Sequence, residues 1–155
     1  MIHVLVGVQG SGKSTFAKEL ASKKNIEIVS TDAIRKKYPD IEEYNVWAMV
    51  YKRISEIAQE GKDCIFDATS ITRNVRKRFF DNVSSYGVKV EADCYYLDTD
   101  IEICEKRINK RNLDENALYL PVEVVASYKE KLEVPSVDEG FSKITVIKNY
   151  TTNNK

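Results

Sequence analysis

The sequence has little of what several common kinds of catalytic and metal site require. It contains one histidine, His3, which excludes a histidine-rich zinc site and argues against histidine-based nucleophilic catalysis. Its three cysteines form no C-x-x-C pair, and two of them lie in apolar segments with strand character. We therefore expect free, buried thiols in a protein from a reducing compartment.

An excess of charge of one sign and a long apolar run are also missing. The 24 Lys and Arg residues balance the 24 Asp and Glu residues, which excludes a surface that is basic throughout but leaves room for a local basic patch. The opening apolar run, Ile2 to Val8, is too short for a signal-peptide core or a membrane span. We expect a cytoplasmic protein with no membrane partner and no obligate protein partner.

What is present is a chain of 155 residues in which strand-like and helix-like segments alternate. This alternation predicts a three-layer α/β fold with a mainly parallel sheet. We expect one domain over residues 1–148 and a polar, frayed C-terminal tail over residues 149–155. The predicted strands are Ile2–Gly7, Ile26–Ser30, Cys64–Phe66, Val88–Leu97 and Ile144–Ile147.

Helix signals lie between these strands. Thr99 and Glu102 have the spacing of a capping box, and Pro121 is typical of a first helical position. The predicted helices span residues 14–24, 32–38, 46–60, 72–86, a segment that contains residues 101–108, and 121–132.

A glycine-rich segment follows the first predicted strand and precedes the first helix. Residues 7–15, GVQGSGKST, match the pattern G-x-x-x-x-G-K-[ST]. The glycines let successive N–H groups converge on phosphate, and the helix adds its positive N-terminal end. A turn without a ligand explains the glycines but not the Lys and Ser that follow. The segment therefore predicts a nucleoside triphosphate site formed by Gly10, Ser11, Gly12, Lys13, Ser14 and Thr15, in which Lys13 reaches the phosphates and Ser14 holds Mg²⁺.

Polar residues follow the second predicted strand, where a parallel sheet opens toward its ligands. Asp32 and Arg35 are three apart and share one face of a short helix. The carboxylate of Asp32 would accept a proton from an attacking hydroxyl, and Arg35 would bind an anionic part of the acceptor. The alternative is a capped helix in which Asp32 favours the helix dipole and Arg35 is a solvated neighbour.

Asp67 and Thr69 follow the third predicted strand, at the same edge of the sheet as the residues after the second. An acidic residue there commonly holds Mg²⁺ through water, and Thr69 would contact the acceptor. The alternative for Asp67 is a turn aspartate that accepts bonds from nearby backbone amides.

Basic side chains on two later helices complete the candidate site. Arg107 and Arg111 are four apart and lead into an irregular stretch, which predicts a mobile lid around residues 107–121 that brings guanidinium groups onto the donor phosphates. The alternative is a solvated, basic helix end. In the cluster Arg73, Arg76, Lys77 and Arg78, Arg73 is the candidate for binding a phosphorylated acceptor. A charged, solvated face accounts for most of that cluster.

These residues, in this order, resemble the 5′-polynucleotide-kinase-like P-loop kinases: the glycine-rich loop, Asp32-x-x-Arg35, Asp67-Ala-Thr69 and Arg107-x-x-x-Arg111. The resemblance implies sheet order 2-3-1-4-5, Asp32 as general base, Arg35 on the acceptor's neighbouring phosphate and Arg111 on the donor phosphates. The sequence departs from the family in having Ser70 where many relatives have Asn, and in two acidic residues, Asp114 and Glu115, within the lid.

Three functions remain open at this point. The first is transfer of the γ-phosphate of ATP, with Mg²⁺, to a hydroxyl, foremost the 5′-OH of DNA or RNA. The second is a kinase for a small molecule such as a nucleoside, sugar or antibiotic, which zero net charge and an acidic lid favour. The third is a nucleotide-dependent switch or ATPase.

Overall fold

A computed structural model describes residues 1–151 of the 155-residue chain. Five strands form one sheet in the order β2-β3-β1-β4-β5, and each neighbouring pair among them is parallel. The α/β class, the parallel sheet and the strand order are thus confirmed. The strands are β1 (Ile2–Val6), β2 (Glu27–Ser30), β3 (Cys64–Asp67), β4 (Ala92–Asp98) and β5 (Lys143–Lys148).

Six α-helices in residues 1–151 connect and cover these strands. Two of them begin at hydroxyl N-caps, where Ser30 accepts from Ala33 N at 3.2 Å and Thr72 accepts from Val75 N at 3.1 Å. The helices are α1 (Lys13–Lys24), α2 (Thr31–Lys37), α3 (Glu43–Gln59), α4 (Arg73–Ser84), α5 (Ile101–Arg111) and α6 (Glu123–Lys131).

Side-chain alternation along β1 places helices on both faces of the sheet. Val4 and Val6 belong to the larger core cluster with residues of α3 and α4, whereas Leu5 packs with Ala17 of α1 on the other face. Helices α5 and α6 share a separate cluster that includes Val8 just after β1. All three cysteines are buried and free, as expected.

The largest boundary error concerns β4, which begins at Ala92 and not at Val88. Val88 and Val90 pack against the core, which explains their apolar pattern, but the parallel ladder starts only where Ile2 pairs with Ala92. Apolar spacing reports burial, and it does not report backbone pairing. The same limit explains shifts of one to three residues at other element ends.

The expected capping box at Thr99 is wrong. Asp100 is the N-cap of α5 and makes no side-chain capping bond. The hydroxyl of Thr99 instead donates to Ser11 O at 2.9 Å, across 88 positions of sequence. The Thr99 hydroxyl, which the local pattern predicts to cap the helix, therefore bonds to a distant residue instead.

The expectation of a frayed tail is also wrong for its first two residues. Asn149 Oδ1 accepts from Asp100 N at 2.8 Å, and the Tyr150 ring meets Phe16 edge-on at a centroid distance of 5.3 Å. Residues 152–155 of the predicted tail lie outside the described residues. In residues 1–151, no helix combines the length and apolar character needed to cross a membrane.

Candidate active site

A cleft of about 960 Å³ opens at the carboxyl-terminal edge of the sheet. Because all five strands point the same way, the segments that follow β1, β2 and β3 meet there. Nine of the predicted site residues line it from the segments after β1, β2 and β3: Gly10, Gly12, Lys13, Ser14, Thr15, Asp32, Arg35, Asp67 and Thr69. Arg107 and Arg111 line the same cleft from α5.

The loop between β1 and α1 is shaped by two glycines with left-handed backbone. Gly10 has φ 79° and Gly12 has φ 103°, and a Cβ on Gly10 would lie 2.5 Å from Cys104 O. This close approach to α5 leaves no room for a larger residue. The loop therefore has the strand–turn–helix setting that its sequence motif requires.

Ser11 is the one residue of the predicted phosphate site, residues 10–15, that does not line the cleft. It is fully buried, its N–H donates to Val8 O at 3.2 Å, and its hydroxyl has no partner in the described part of the chain. Its carbonyl accepts a hydrogen bond from the Thr99 hydroxyl at 2.9 Å, which holds the loop against the segment before α5.

Lys13 lies between the loop and two carboxylates. Its ammonium donates to Val8 O at 2.9 Å. Burial lowers the pKa of Lys13, and the negative charges of Asp67 and Asp32 act in the opposite direction. The two acids therefore lie close enough to the ammonium to influence its charge, which brings the three predicted polar groups into one site.

Asp67 ends β3 and pairs in register with Ser30 of β2. It is 9% exposed, and burial raises the pKa of its carboxyl while Lys13 lowers it. Within residues 1–151 its carboxylate has no hydrogen-bond or ion-pair partner, so the alternative of a turn aspartate bonded to backbone amides is not what the structure contains. A carboxylate and the exposed hydroxyl of Ser14 on one cleft suit Mg²⁺, which typically takes one or two protein oxygens with phosphate and water.

Asp32 and Arg35 face each other on α2 as their spacing predicts. Arg35 Nη1 donates to Asp32 Oδ1 at 2.6 Å, and its Nε donates to Glu43 Oε2 at 3.1 Å. Burial opposes the charge of Arg35, but the hydrogen bonds that it donates to Glu43 and Asp32 outweigh this effect and raise the pKa of the guanidinium. Sequence reasoning missed Glu43, because eight positions and a turn separate it from Arg35.

The two arginines of α5 differ in their surroundings. Arg107 donates to Gly10 O at 3.1 Å and to Tyr150 O at 2.8 Å, so it joins the phosphate loop to the segment after β5. Arg111 is exposed at the cleft and makes no hydrogen bond or ion pair with the described residues. Of the pair, Arg111 is the guanidinium that remains available to a ligand.

The predicted lid is closed at its base by one side chain. Asn112 donates from Nδ2 to Leu120 O at 2.6 Å, and its Oδ1 accepts from Leu120 N at 3.0 Å. Asp114, one of the two acidic residues noted in the lid, accepts from Asn116 N at 2.9 Å. The loop side chains that line the cleft are apolar or aromatic, namely Leu118, Tyr119 and Leu120.

The surroundings of Arg73 and Arg76 differ from those predicted for the basic cluster on α4. Arg73 is not among the residues that line the cleft, and it donates to Asp138 Oδ2 at 2.9 Å and to Ser136 Oγ at 2.9 Å. Arg76 is fully buried and paired with Glu139, so it is not part of a solvated face. Both acidic partners lie more than 60 positions along the chain, beyond the reach of local patterns.

The phosphate loop after β1, the sheet order and the acid at the end of β3 together define a P-loop kinase domain, a nucleotide-binding transferase fold. The chain belongs to the AAA domain family, because the model of that family matches residues 2–135. This family relationship implies that the chain binds a nucleotide.

Known proteins that the chain is similar to include kinases with different acceptors. The bifunctional polynucleotide phosphatase/kinase of Schizosaccharomyces pombe is 27% identical over 143 residues, which are 92% of this chain and 32% of that protein. The chain thus spans about a third of this relative. A sugar kinase from Janibacter sp. HTCC2649 is 21% identical with a TM-score of 0.69, covering 96% of this chain and 84% of that one.

A third relative was solved with a nucleotide analogue. Chaetomium thermophilum Kti12 in complex with ADP-AlF3 is 14% identical with a TM-score of 0.74, covering 96% of this chain and 89% of that chain. At these identities the solved structures establish the fold of this chain and no more.

Proposed function

We propose that the protein transfers the γ-phosphate of ATP to the 5′-hydroxyl of a polynucleotide, with Mg²⁺ as cofactor. One observation carries the proposal: the phosphate loop and the ion pair between Asp32 and Arg35 line the same cleft, with the charge of Asp32 acting on Lys13. The 27% identity to a polynucleotide phosphatase/kinase supports the choice of acceptor.

Each group has a task that its position supports. The loop amides and Lys13 bind the triphosphate, and Ser14 with Asp67 would hold Mg²⁺, which supplies charge neutralisation of the phosphates when bound. Asp32 accepts the proton of the attacking 5′-hydroxyl, since it is an exposed carboxylate that lines the same cleft as Lys13. Arg35, held by Glu43, binds the phosphate that follows the 5′-terminal nucleoside, and Arg111 binds the donor phosphates.

The second candidate is a kinase for a small molecule, such as a sugar or nucleoside. Its supporting observation is the loop after α5, where the cleft-lining side chains Leu118, Tyr119 and Leu120 carry no positive charge for a polyanion. A polynucleotide acceptor would bind less tightly as salt increases, whereas a neutral sugar would show little dependence.

The test mixes the protein with γ-labelled ATP, Mg²⁺ and either 5′-OH oligonucleotides or a panel of nucleosides, sugars and aminoglycosides. We expect label on the oligonucleotide, and no label when its 5′ end already carries phosphate. Label on a small acceptor alone would replace the first candidate with the second. Nucleotide hydrolysis without any labelled acceptor would reject both and leave a switch or ATPase.

A further inference from the structure

A second cavity, of about 610 Å³, lies beside the cleft and has no part in the steps described above. We call it the α2 pocket. Its volume falls within the range of about 300–1,000 Å³ that is typical of ligand sites. Six residues line it: Lys37, Tyr38, Pro39, Asp40, Ile41 and Met49.

The α2 pocket adjoins the cleft. Pro39 and Ile41 line both, so one extended ligand can reach from the cleft into the pocket. The wall between them is a closed turn, since Ile41 N donates to Tyr38 O at 3.0 Å and Tyr38 N donates to Ile34 O at 2.9 Å. The pocket is therefore built on backbone that is already ordered by hydrogen bonds.

The lining of the α2 pocket is apolar with a balanced rim. Tyr38 is 42% exposed and Met49 is 39% exposed, so both side chains are accessible to a ligand in the pocket. Lys37 and Asp40 contribute opposite charges to the rim, so the pocket has little preference for an anion. A neutral, flat, aromatic group suits it better than a phosphate does.

Cations border the path that leads to this pocket. Arg35, Lys36 and Lys37 follow each other at the end of α2, and Arg35 and Lys36 line the cleft while Lys37 lines the α2 pocket. Cations that track a backbone beside an aromatic face are the combination that binds single-stranded nucleic acid. A small, neutral acceptor would use neither feature.

We propose that the α2 pocket binds a nucleobase of a single-stranded acceptor, downstream of the 5′-terminal nucleoside. The inference rests on the proposed function. Tyr38 lies six positions beyond Asp32, a rise of about 9 Å at 1.5 Å per residue. A stacked strand advances about 3.4 Å per nucleotide, so the base at Tyr38 belongs to the second or third nucleotide after the reacting end.

The test compares acceptors of increasing length: a nucleoside 3′-monophosphate, then 5′-OH oligonucleotides of two, three and ten nucleotides. We expect KM to decrease up to about three nucleotides in the wild type. In Tyr38→Ala, KM for the ten-mer should rise about tenfold, as expected for the loss of one stacked base, with kcat and the KM for the monophosphate unchanged. Tyr38→Phe keeps the ring and should retain the wild-type KM.

Tyr86→Ala is the matched control, because Tyr86 is 45% exposed and lies beyond the end of α4, away from the cleft. An unchanged KM for the ten-mer in Tyr38→Ala would overturn the inference while leaving the proposed function in place. An equal rise for the monophosphate would also overturn it, since the pocket would then hold the reacting nucleoside.

A binding measurement separates failure of the inference from failure of the proposed function. Anisotropy of a labelled 5′-OH ten-mer should give an affinity about tenfold weaker for Tyr38→Ala than for Tyr86→Ala, whether or not transfer occurs. Absence of transfer to every 5′-OH acceptor would reject the proposed function. Equal affinities for the two variants would reject the nucleobase site.

Discussion

Arg76 and Glu139 form a buried ion pair that joins helix α4 to the segment before β5. Arg76 Nε lies 2.6 Å from Glu139 Oε1, and the two side chains are 0% and 6% exposed. The same guanidinium donates to Ser70 O and to Glu133 O, each at 2.9 Å. Because Ser70 closes the segment that carries Asp67 and Thr69, this pair holds one wall of the cleft in place.

We expect Arg76→Ala to destabilise the fold by about 3–5 kcal/mol, because it leaves Glu139 buried without a counter-charge. Urea unfolding followed by circular dichroism measures the change. The control is Lys77→Ala, which removes an exposed pair with Asp81 and should cost about 0.5 kcal/mol or less. Similar values for both variants would contradict the structural role assigned to Arg76.

Asp32→Ala should retain ATP binding and lose phosphoryl transfer by about 10²–10⁴-fold, which is the usual contribution of a general base. Initial rates with a 5′-OH oligonucleotide and a separate nucleotide titration measure the two properties. Glu42→Gln, at an exposed position that caps α3 without a side-chain bond, is the control. Undiminished turnover in Asp32→Ala would remove this residue from the mechanism.

Asp67→Asn should raise the Tm of the nucleotide-free protein and remove the added stabilisation that Mg²⁺ gives to bound ATP. Because burial raises the pKa of Asp67 above 3.8, the folded state holds more protons than the unfolded state as pH rises from that value. The free energy of unfolding therefore decreases as pH rises from the unfolded-state pKa of Asp67 to its higher folded-state pKa. Asp67→Asn cannot titrate, so it abolishes that decrease. Each kcal/mol corresponds to a Tm shift of about 2–4 °C in a chain of this size.

Thermal unfolding between pH 4 and pH 8, with and without Mg²⁺ and ATP, tests this prediction. Asp81→Asn on the exposed face of α4 is the control and should change stability by about 0.5 kcal/mol or less. A lower Tm for Asp67→Asn than for the wild type at pH 7 would contradict the prediction, because it would show that the charged carboxylate stabilises the fold.

Tyr150→Ala should weaken nucleotide binding without unfolding the protein. The Tyr150 ring packs on Phe16 of α1. The backbone carbonyl of Tyr150 accepts a hydrogen bond from Arg107, which also donates to Gly10 O of the phosphate loop. Loss of the ring contact costs about 0.5–1.5 kcal/mol in stability, and looser anchoring of Arg107 should add to KM for ATP. A stop codon after Thr151 is the control, and a nucleotide affinity equal to that of the wild type in Tyr150→Ala would contradict the role of this segment.

The parts of the fold and site that sequence reasoning predicts are those determined by neighbouring residues. The loop motif lies where a strand meets a helix, and the spacing of Asp32 and Arg35 places them on one helix face, because both depend on residues within a turn or two of each other. The strand order is confirmed as well, but it came from the family resemblance and not from periodicity.

The parts that could not be predicted depend on partners far along the chain. Thr99 bonds to Ser11, Arg76 to Glu139 and Arg107 to Tyr150, at separations of 88, 63 and 43 positions. From neighbouring residues alone, Thr99 is predicted to be a helix cap, Arg76 a solvated charge and Arg107 a lid residue. Their actual partners come within reach only when the sheet brings distant segments together. Glu43 was missed at a separation of only eight positions, because the turn between α2 and α3 brings it to Arg35 and helix spacing does not predict the course of a turn.

Calorimetric titration of Mg²⁺ and ATP into the wild type and into Lys13→Ala tests the central claim most directly, since every proposed role depends on the loop after β1 holding a triphosphate. We expect one ATP bound per chain in the wild type and a large loss of affinity in Lys13→Ala, with far-UV circular dichroism unchanged. Folded wild-type protein that takes up no ATP, or a Lys13→Ala variant that binds ATP as the wild type does, would contradict the account.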